Sequence, residues 1–262
     1  MSDNILTVSL VQYSPKWEDI HSNLSRLDEL IRPLVGKTHL IVLPEMFPTG
    51  FSMNAGRMGS AGTHVSVRSW MQQQAVLTDA MIVGSMAVLE DGKYYNRLYR
   101  ISPDGTNGYY DKHHLFTMSG EPKHFTAGTE QKRFYLRDWE INPVVCYDLR
   151  FPAWCRNTRT NPYDILVCPA SWPSARSDVW ITLLKARALE NQCYVIGVNR
   201  TGLDGNGLPH KGDSMVFGPK GEIIGHLPEN EETIASFDLS LNTLHDFRRK
   251  FPTLEDMDNF SF

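Results

Sequence analysis

Val144-Val145-Cys146-Tyr147-Asp148-Leu149-Arg150-Phe151-Pro152 is the stretch from which the rest of the chain is read. Two β-branched residues carry an apolar run up to a cysteine. Polar and charged residues follow at once, then a proline. That is the pattern of a buried strand that stops at a turn before a helix begins. A side chain at such a strand end stands at the rim of a sheet, where α/β proteins build their sites. Taken alone, Cys146 reads first as a core thiol, because free cysteine is among the most buried residue types.

Working outward, strand patterns recur on both sides. Upstream, Phe134–Trp139 and Ile141–Tyr147 form a pair ending at Cys146. Downstream, Pro152–Thr158 reads as a short helix, Asp164–Pro169 as a buried strand, Val179–Gln192 as a helix and Cys193–Val198 as a strand. On that helix Ile181, Leu184, Ala188 and Leu189 form the expected inner face, with Lys185, Arg187 and Glu190 elsewhere.

The first half has the same rhythm. Strands are expected at Ile5–Tyr13, His39–Leu43, Met81–Leu89, Tyr94–Ile101 and Gly108–Lys112. A helix opens at Pro15 and Trp17 and stops near Gly36; a second covers Val65–Thr78, with Val67, Trp70, Met71 and Leu77 on its stripe. Leu115–Gly128 is a long irregular stretch, and loops of that length are often functional. Gly202–Gly207 reads as a plain turn. Further strands follow at Ser214–Phe217, Glu222–His226 and Thr233–Asp238, then a helix or tail from Leu241. No linker or composition break interrupts residues 1–262, so one layered α/β domain with two sheets, each carrying helices on its outer face, is expected.

Composition is consistent with this. The chain has 262 residues, 41% of them hydrophobic, and a net charge of −4, which offers no general field for nucleic acid or anionic membrane. Ile5–Val11 is too short for a signal core or a membrane span, so a cytoplasmic protein is expected. Cys146, Cys155, Cys168 and Cys193 form no C-x-x-C pair, which fits free thiols in a reducing compartment.

Glu45, Lys112 and Cys146 share a description: each closes a predicted strand. Their chemistry is complementary. A thiol needs a base, which Glu45 supplies. Attack on an amide carbon puts negative charge on oxygen, which Lys112 and the backbone N–H of Tyr147 can hold. Glu45 then returns a proton to departing ammonia and activates water against the thioester.

Along nearly its whole length the sequence resembles the nitrilase (carbon–nitrogen hydrolase) superfamily. The residues that carry the likeness are Leu43-Pro44-Glu45, Tyr110-Asp111-Lys112, Val145 to Pro152, Ala186-Arg187-Ala188-Leu189-Glu190-Asn191 and Gly212-Asp213-Ser214 to Gly221. The family's Glu–Lys–Cys triad maps onto Glu45, Lys112 and Cys146, and a further family glutamate onto Glu121. The resemblance implies a four-layer αββα sandwich that pairs into a homodimer or higher homo-oligomer. Cys146 to Pro152, Ala170-Ser171-Trp172-Pro173, Asn199-Arg200-Thr201-Gly202 and Asp204-Gly205-Asn206 are similar to the bacterial omega-amidase branch. That branch implies hydrolysis of the terminal amide of α-keto acid monoamides, α-ketoglutaramate and α-ketosuccinamate among them. Other branches, acting on nitriles, N-carbamoyl amino acids or deaminated glutathione, use the same triad.

A keto acid amide carries a carboxylate, so its pocket should supply a cation. Arg150, Arg176 and Arg200 lie in predicted loops, and Arg176 is the first choice because it follows the strand expected beside the cysteine strand. Phe116, Trp172 and Tyr147 are candidate pocket walls. His113-His114, with His124, raises zinc or a Cys–His hydrolase. Adjacent histidines on a strand face opposite ways and lack further ligands at metal spacing, so no metal is expected; a Cys–His pair would leave Glu45 and Lys112 unexplained. No dinucleotide, phosphate-loop or serine-hydrolase motif is present, and no cofactor is expected. A binding protein with a dead site would be expected to lack a triad member. The aromatic tail of Phe247, Phe251, Phe260 and Phe262 suggests a segment lying across a partner subunit.

Overall fold

The computed structural model describes residues 4–258. In chain order the strands are β1 Ile5–Gln12, β2 Leu40–Val42, β3 Met81–Glu90, β4 Lys93–Ile101, β5 Asn107–Asp111, β6 Phe134–Leu136, β7 Trp139–Pro143, β8 Ile165–Ala170, β9 Tyr194–Asn199, β10 Thr201–Leu203, β11 Pro209–Lys211, β12 Met215–Phe217, β13 Ile223–His226 and β14 Thr233–Ser240. The helices are α1 Ile20–Ile31, α2 Ala55–Met58, α3 Ala61–Thr78, α4 Ser177–Asn191 and α5 Leu241–Lys250.

Two six-stranded sheets carry the fold, ordered β14-β1-β2-β3-β4-β5 and β13-β12-β9-β8-β7-β6. Each is parallel at its centre and antiparallel toward its edges. Their central strands are apolar on both faces, as parallel strands covered on both sides must be. In β1 and β2, Leu6, Val8, Leu10, Leu40 and Val42 point into the core between the sheets, shared with Trp139, Ile141, Val167 and Ile196. Ile41 and Ile82 point the other way, onto a second core closed by Leu27 and Ile31 of α1 and Met71 and Ala75 of α3. On the far side Trp180, Leu184 and Ala188 of α4 cover the second sheet. The result is the expected αββα sandwich. Among the described residues no helix is long and apolar enough to cross a membrane.

Several local expectations are corrected. The strand before Cys146 ends at Pro143, and Cys146 opens a 3-10 turn over Cys146–Arg150. Its upstream partner is shorter than expected, because Arg137 turns left-handed at φ 54° and starts the hairpin there. Pro152–Thr158 is not helical. Turn bonds hold its start, Cys155 N to Phe151 O at 3.3 Å and Arg156 N to Ala153 O at 3.1 Å, and side chains take over from there: Asn157 N donates to Asn191 Oδ1 at 2.7 Å, and Tyr163 Oη donates to Cys155 O at 2.5 Å. The first helix begins at Ile20, where Asp19 caps it through Ser22 N, and Trp17 lies outside it. Leu77 of α3 and Leu189 of α4 face solvent, while Arg187 is buried and donates to Leu149 O at 2.6 Å. Gly202–Gly207 is the heart of a β-hairpin, β10–β11. Phe260 and Phe262 lie outside the described residues.

Candidate active site

Glu45 follows β2 in a turn that lies flat on β3. The turn is held by Phe47 N to Ser85 O at 3.1 Å and Met46 N to Ser85 Oγ at 2.9 Å. Gly84 makes the approach possible, since a Cβ there would stand 2.8 Å from Phe47 Cδ1 and 2.9 Å from Leu43 Cβ. Lys112 follows β5 directly. Its N–H donates to Asn96 O at 2.9 Å, and its carbonyl accepts from Gly128 N at 2.9 Å. Both side chains are fully buried, and Lys112 Nζ stands 2.8 Å from Glu45 Oε1.

Glu121 joins them from the loop after Lys112. Lys112 Nζ donates to its two oxygens at 3.1 and 2.9 Å, and Phe116 N donates to Oε2 at 2.6 Å. All three of the Lys112 Nζ hydrogen bonds thus go to carboxylate oxygens. Asn96 Nδ2, from β4, donates to Glu45 Oε1 at 2.8 Å and to Glu121 Oε1 at 3.2 Å. Ser171 N, from the end of β8, donates to Glu45 Oε2 at 3.0 Å, so the second sheet also grips the glutamate.

Cys146 comes from that second sheet. Its φ of 47° is unusual for a non-glycine residue, and Asp148 holds the turn. Asp148 Oδ2 accepts from Val145 N at 3.0 Å and from Tyr110 Oη at 2.7 Å. Its Oδ1 accepts from His114 N at 2.7 Å. One buried carboxylate thus ties the cysteine turn to the segments flanking Lys112. The three groups perturb one another as their positions demand. Burial pushes the Cys146 thiol well up, the charge of Glu45 adds to this, and Lys112 opposes it. Burial would lower the Lys112 ammonium, but Glu121 and Glu45 more than reverse it, and the net direction is up. Burial also raises the Glu121 carboxyl against the pull of Lys112. Burial and the charge of Glu45 thus both favour the thiol form of Cys146 over the thiolate.

A carbon–nitrogen hydrolase family model matches residues 7–249. The chain belongs to the carbon–nitrogen hydrolase family. It is 42% identical over 255 residues to Omega-amidase YafV of Escherichia coli K12, covering 97% of this chain and 98% of that one. It is 30% identical over 254 residues to 2-oxoglutaramate amidase of Bacillus subtilis, covering 96% and 97%. A crystal structure of a CN-hydrolase superfamily protein from Xanthomonas campestris, with an arsenic adduct in its active site, superposes at a TM-score of 0.95. It is 39% identical and covers all of both chains.

In this hydrolase Cys146 is 9% exposed, whereas Cys155, Cys168 and Cys193 are fully enclosed. It opens on a cavity of about 310 Å³. That is near the small end for ligand sites, which run from roughly 300 to 1,000 Å³. Phe116, Tyr147, Arg150, Trp172 and Arg176 all line it. The Arg150 guanidinium lies 4.9 Å from the Trp172 ring and that of Arg176 lies 5.5 Å from the Phe116 ring. Among the described residues no ion pair joins either to a carboxylate. Arg200 is elsewhere: it is fully buried and donates to Thr201 O and Leu203 O of its own hairpin at 3.1 and 2.7 Å. His113 and His114 stack on Trp154 and Phe151 at 3.7 and 3.6 Å, with Nδ1 of His113 on Gly128 O and Nδ1 of His114 on Asp148.

The sequence reading missed Asn96, Ser171 and the β10–β11 hairpin, which adds Asp204, Asn206, Leu208 and His210 to the pocket. His210 is buried, with Nε2 3.4 Å from Ser171 Oγ. Burial, with Arg200 nearby, pushes its imidazole down to about 4, so it is neutral at pH 7. The glycines around 202–207 were the visible signal. Gly205 lets the hairpin lie on Trp17, where a Cβ would come within 2.2 Å of Cδ2.

Proposed function

We propose that this protein is an omega-amidase that cleaves the terminal amide of small α-keto acid monoamides, releasing the keto diacid and ammonia. The observation that carries the reading is a cysteine opening on a small pocket whose two guanidiniums lack a carboxylate partner among the described residues. A substrate with an amide at one end and a carboxylate at the other fits such a pocket. The names of the full-length relatives, omega-amidase and 2-oxoglutaramate amidase, point the same way.

In this reading Cys146 Sγ attacks the amide carbon while Glu45 takes the thiol proton. The oxyanion is held by Lys112 and by the N–H of Tyr147, which precedes the first internal hydrogen bond of the 3-10 turn. Glu45 protonates the departing nitrogen, ammonia leaves, and a thioester remains. Water then attacks the thioester as Glu45 accepts its proton. The second tetrahedral species expels the sulfur, which recovers its proton from Glu45, and the acid departs. Glu121 fixes the Lys112 ammonium throughout. Arg176 binds the distal carboxylate, with Arg150 as a second cation.

The reading includes a cytoplasmic setting, supported by four free buried cysteines. It also includes pairing of two chains. Exposed Leu189, Ile223 and Phe251 cluster around the C-terminal end of α4: Leu189 meets the turn before β13, and Gln192 Nε2 donates to Phe251 O.

The test is ammonia release by wild type and Cys146→Ala from α-ketoglutaramate, deaminated glutathione, an N-carbamoyl amino acid, a simple nitrile and glutamine. Cys146-dependent turnover of α-ketoglutaramate above the others is the expected result. Preference for another member would move the substrate assignment.

A further inference from the structure

Among the charges of the site sits one neutral side chain. Asn96 is buried in β4, and its Nδ2 touches both carboxylates, Glu45 Oε1 at 2.8 Å and Glu121 Oε1 at 3.2 Å. Its backbone carbonyl accepts from Lys112 N at 2.9 Å. The orientation of the amide is set by charge, because the flipped rotamer would aim its oxygen at two carboxylates. The consequence is visible on the other side: Asn96 Oδ1 is buried with no hydrogen-bond partner among the described residues. An acceptor left orphaned in a core calls for a reason, since buried polar groups are normally paired.

The reason lies in how Lys112 is shared. Its ammonium already donates to Glu45 Oε1 and to the two oxygens of Glu121. To meet a developing oxyanion as well, the ammonium turns part of its donation away from them. A donor that stays on Glu45 through that exchange keeps the carboxylate aimed. A second cation there would hold the proton off too strongly and weaken the base. A neutral amide avoids this.

We propose that Asn96 is a positioning residue for the Glu45–Cys146 pair: it is the neutral side-chain donor on Oε1 that, with Ser171 N on Oε2, keeps Glu45 a directed base when Lys112 turns to the substrate. This rests on Glu45 acting as the base of the proposed function. The other groups facing the pair are Lys112 after β5, Glu121 in the loop, Ser171 N and Cys168 from β8, and His210 through Ser171 Oγ.

The experiment follows iodoacetamide alkylation of Cys146 against pH, identified by the mass of the modified peptide, and so needs no substrate. Wild type, Asn96→Ala and Asn96→Asp are compared, with thermal melting as the check on folding. Losing a donor disfavours an ionised carboxylate. The acid limb of the pair's profile should therefore move up by about one pH unit in Asn96→Ala, and further in Asn96→Asp, which brings in a third carboxyl. On the amide found in the substrate panel, kcat should fall roughly tenfold or more with KM little changed. A folded Asn96→Ala whose acid limb stays at the wild-type position overturns the proposal, whatever its turnover. Should that variant fail to fold, Asn96→Asp, which keeps the shape, is read alone, and an unmoved limb there overturns it equally. A wrong substrate assignment would show separately, as absent turnover beside an intact wild-type alkylation profile.

Discussion

At Cys146 the backbone stands at φ 47°, a conformation that costs a non-glycine residue on the order of 1–3 kcal/mol. Asp148 and the turn after Val145 hold it there and let Sγ reach the cavity while the other three thiols stay sealed. Alkylation of the native protein should therefore modify Cys146 and spare Cys155, Cys168 and Cys193 by at least roughly a hundredfold in rate. Equal modification of all four, read by peptide mass, would remove Cys146 from the mechanism. Lys112→Met should leave a folded protein without measurable turnover, because the buried ammonium both neutralises two carboxylates and meets the oxyanion. Retained turnover in that variant would restore the histidines as candidates. Arg176→Ala should raise KM for a keto acid amide roughly tenfold to a hundredfold with a smaller change in kcat, as loss of a charge-assisted bond to a carboxylate does. Kinetics of Arg150→Ala beside it would show which guanidinium carries the carboxylate.

The β10–β11 hairpin contributes a pH dependence of its own. The imidazole of His210 sits at about 4 when folded, against about 6.5 in an unfolded chain. Its contribution to stability is present above pH 6.5 or so and is lost as pH falls through about 4. The full effect is up to about 3 kcal/mol. Melting temperatures of wild type and His210→Gln between pH 7 and pH 4 should converge as the pH drops; parallel curves would show that His210 does not titrate with folding. This hairpin also marks where reading the sequence stopped short. Glu45, Lys112 and Cys146 were legible because each sits at the end of a strand pattern, and a charged or thiol side chain there stands out. Asn96 lies mid-strand among Tyr94, Tyr95 and Arg97 and breaks no pattern; its importance is set by which strand β4 pairs with. Arg187 was read as lying off the inner face of α4, yet it is buried and its guanidinium reaches under the cysteine turn to Leu149 O. Leu189 took the inward place on helical spacing alone. The helix expected at Pro152–Thr158 stops after one turn because Asn191, far along the chain, takes the Asn157 N–H and the Tyr163 hydroxyl takes the Cys155 carbonyl. Tertiary partners decided all of these, and periodicity does not carry them.

At the scale of the whole molecule, the two sheets divide the chemistry between them. Glu45 and Lys112 extend from the first, Cys146 and Ser171 from the second, and the core between the sheets sets their distance. The proposed pairing of chains gives a direct expectation: sedimentation equilibrium at micromolar protein should return about twice 29.8 kDa. A mass of 29.8 kDa would mean that the exposed residues around the end of α4 stay in water. The division between sheets also has a consequence during translation. A ribosome delivers Glu45, Lys112, Glu121 and Cys146 before the strands that seat them: β8, β9 and β12 follow the cysteine, and β14, which flanks β1, comes later still. A nascent chain thus carries four ordinary thiols. The one that matters acquires its neighbours only when the late strands close the sandwich, so an unfinished copy has no built site with which to attack the metabolites around it.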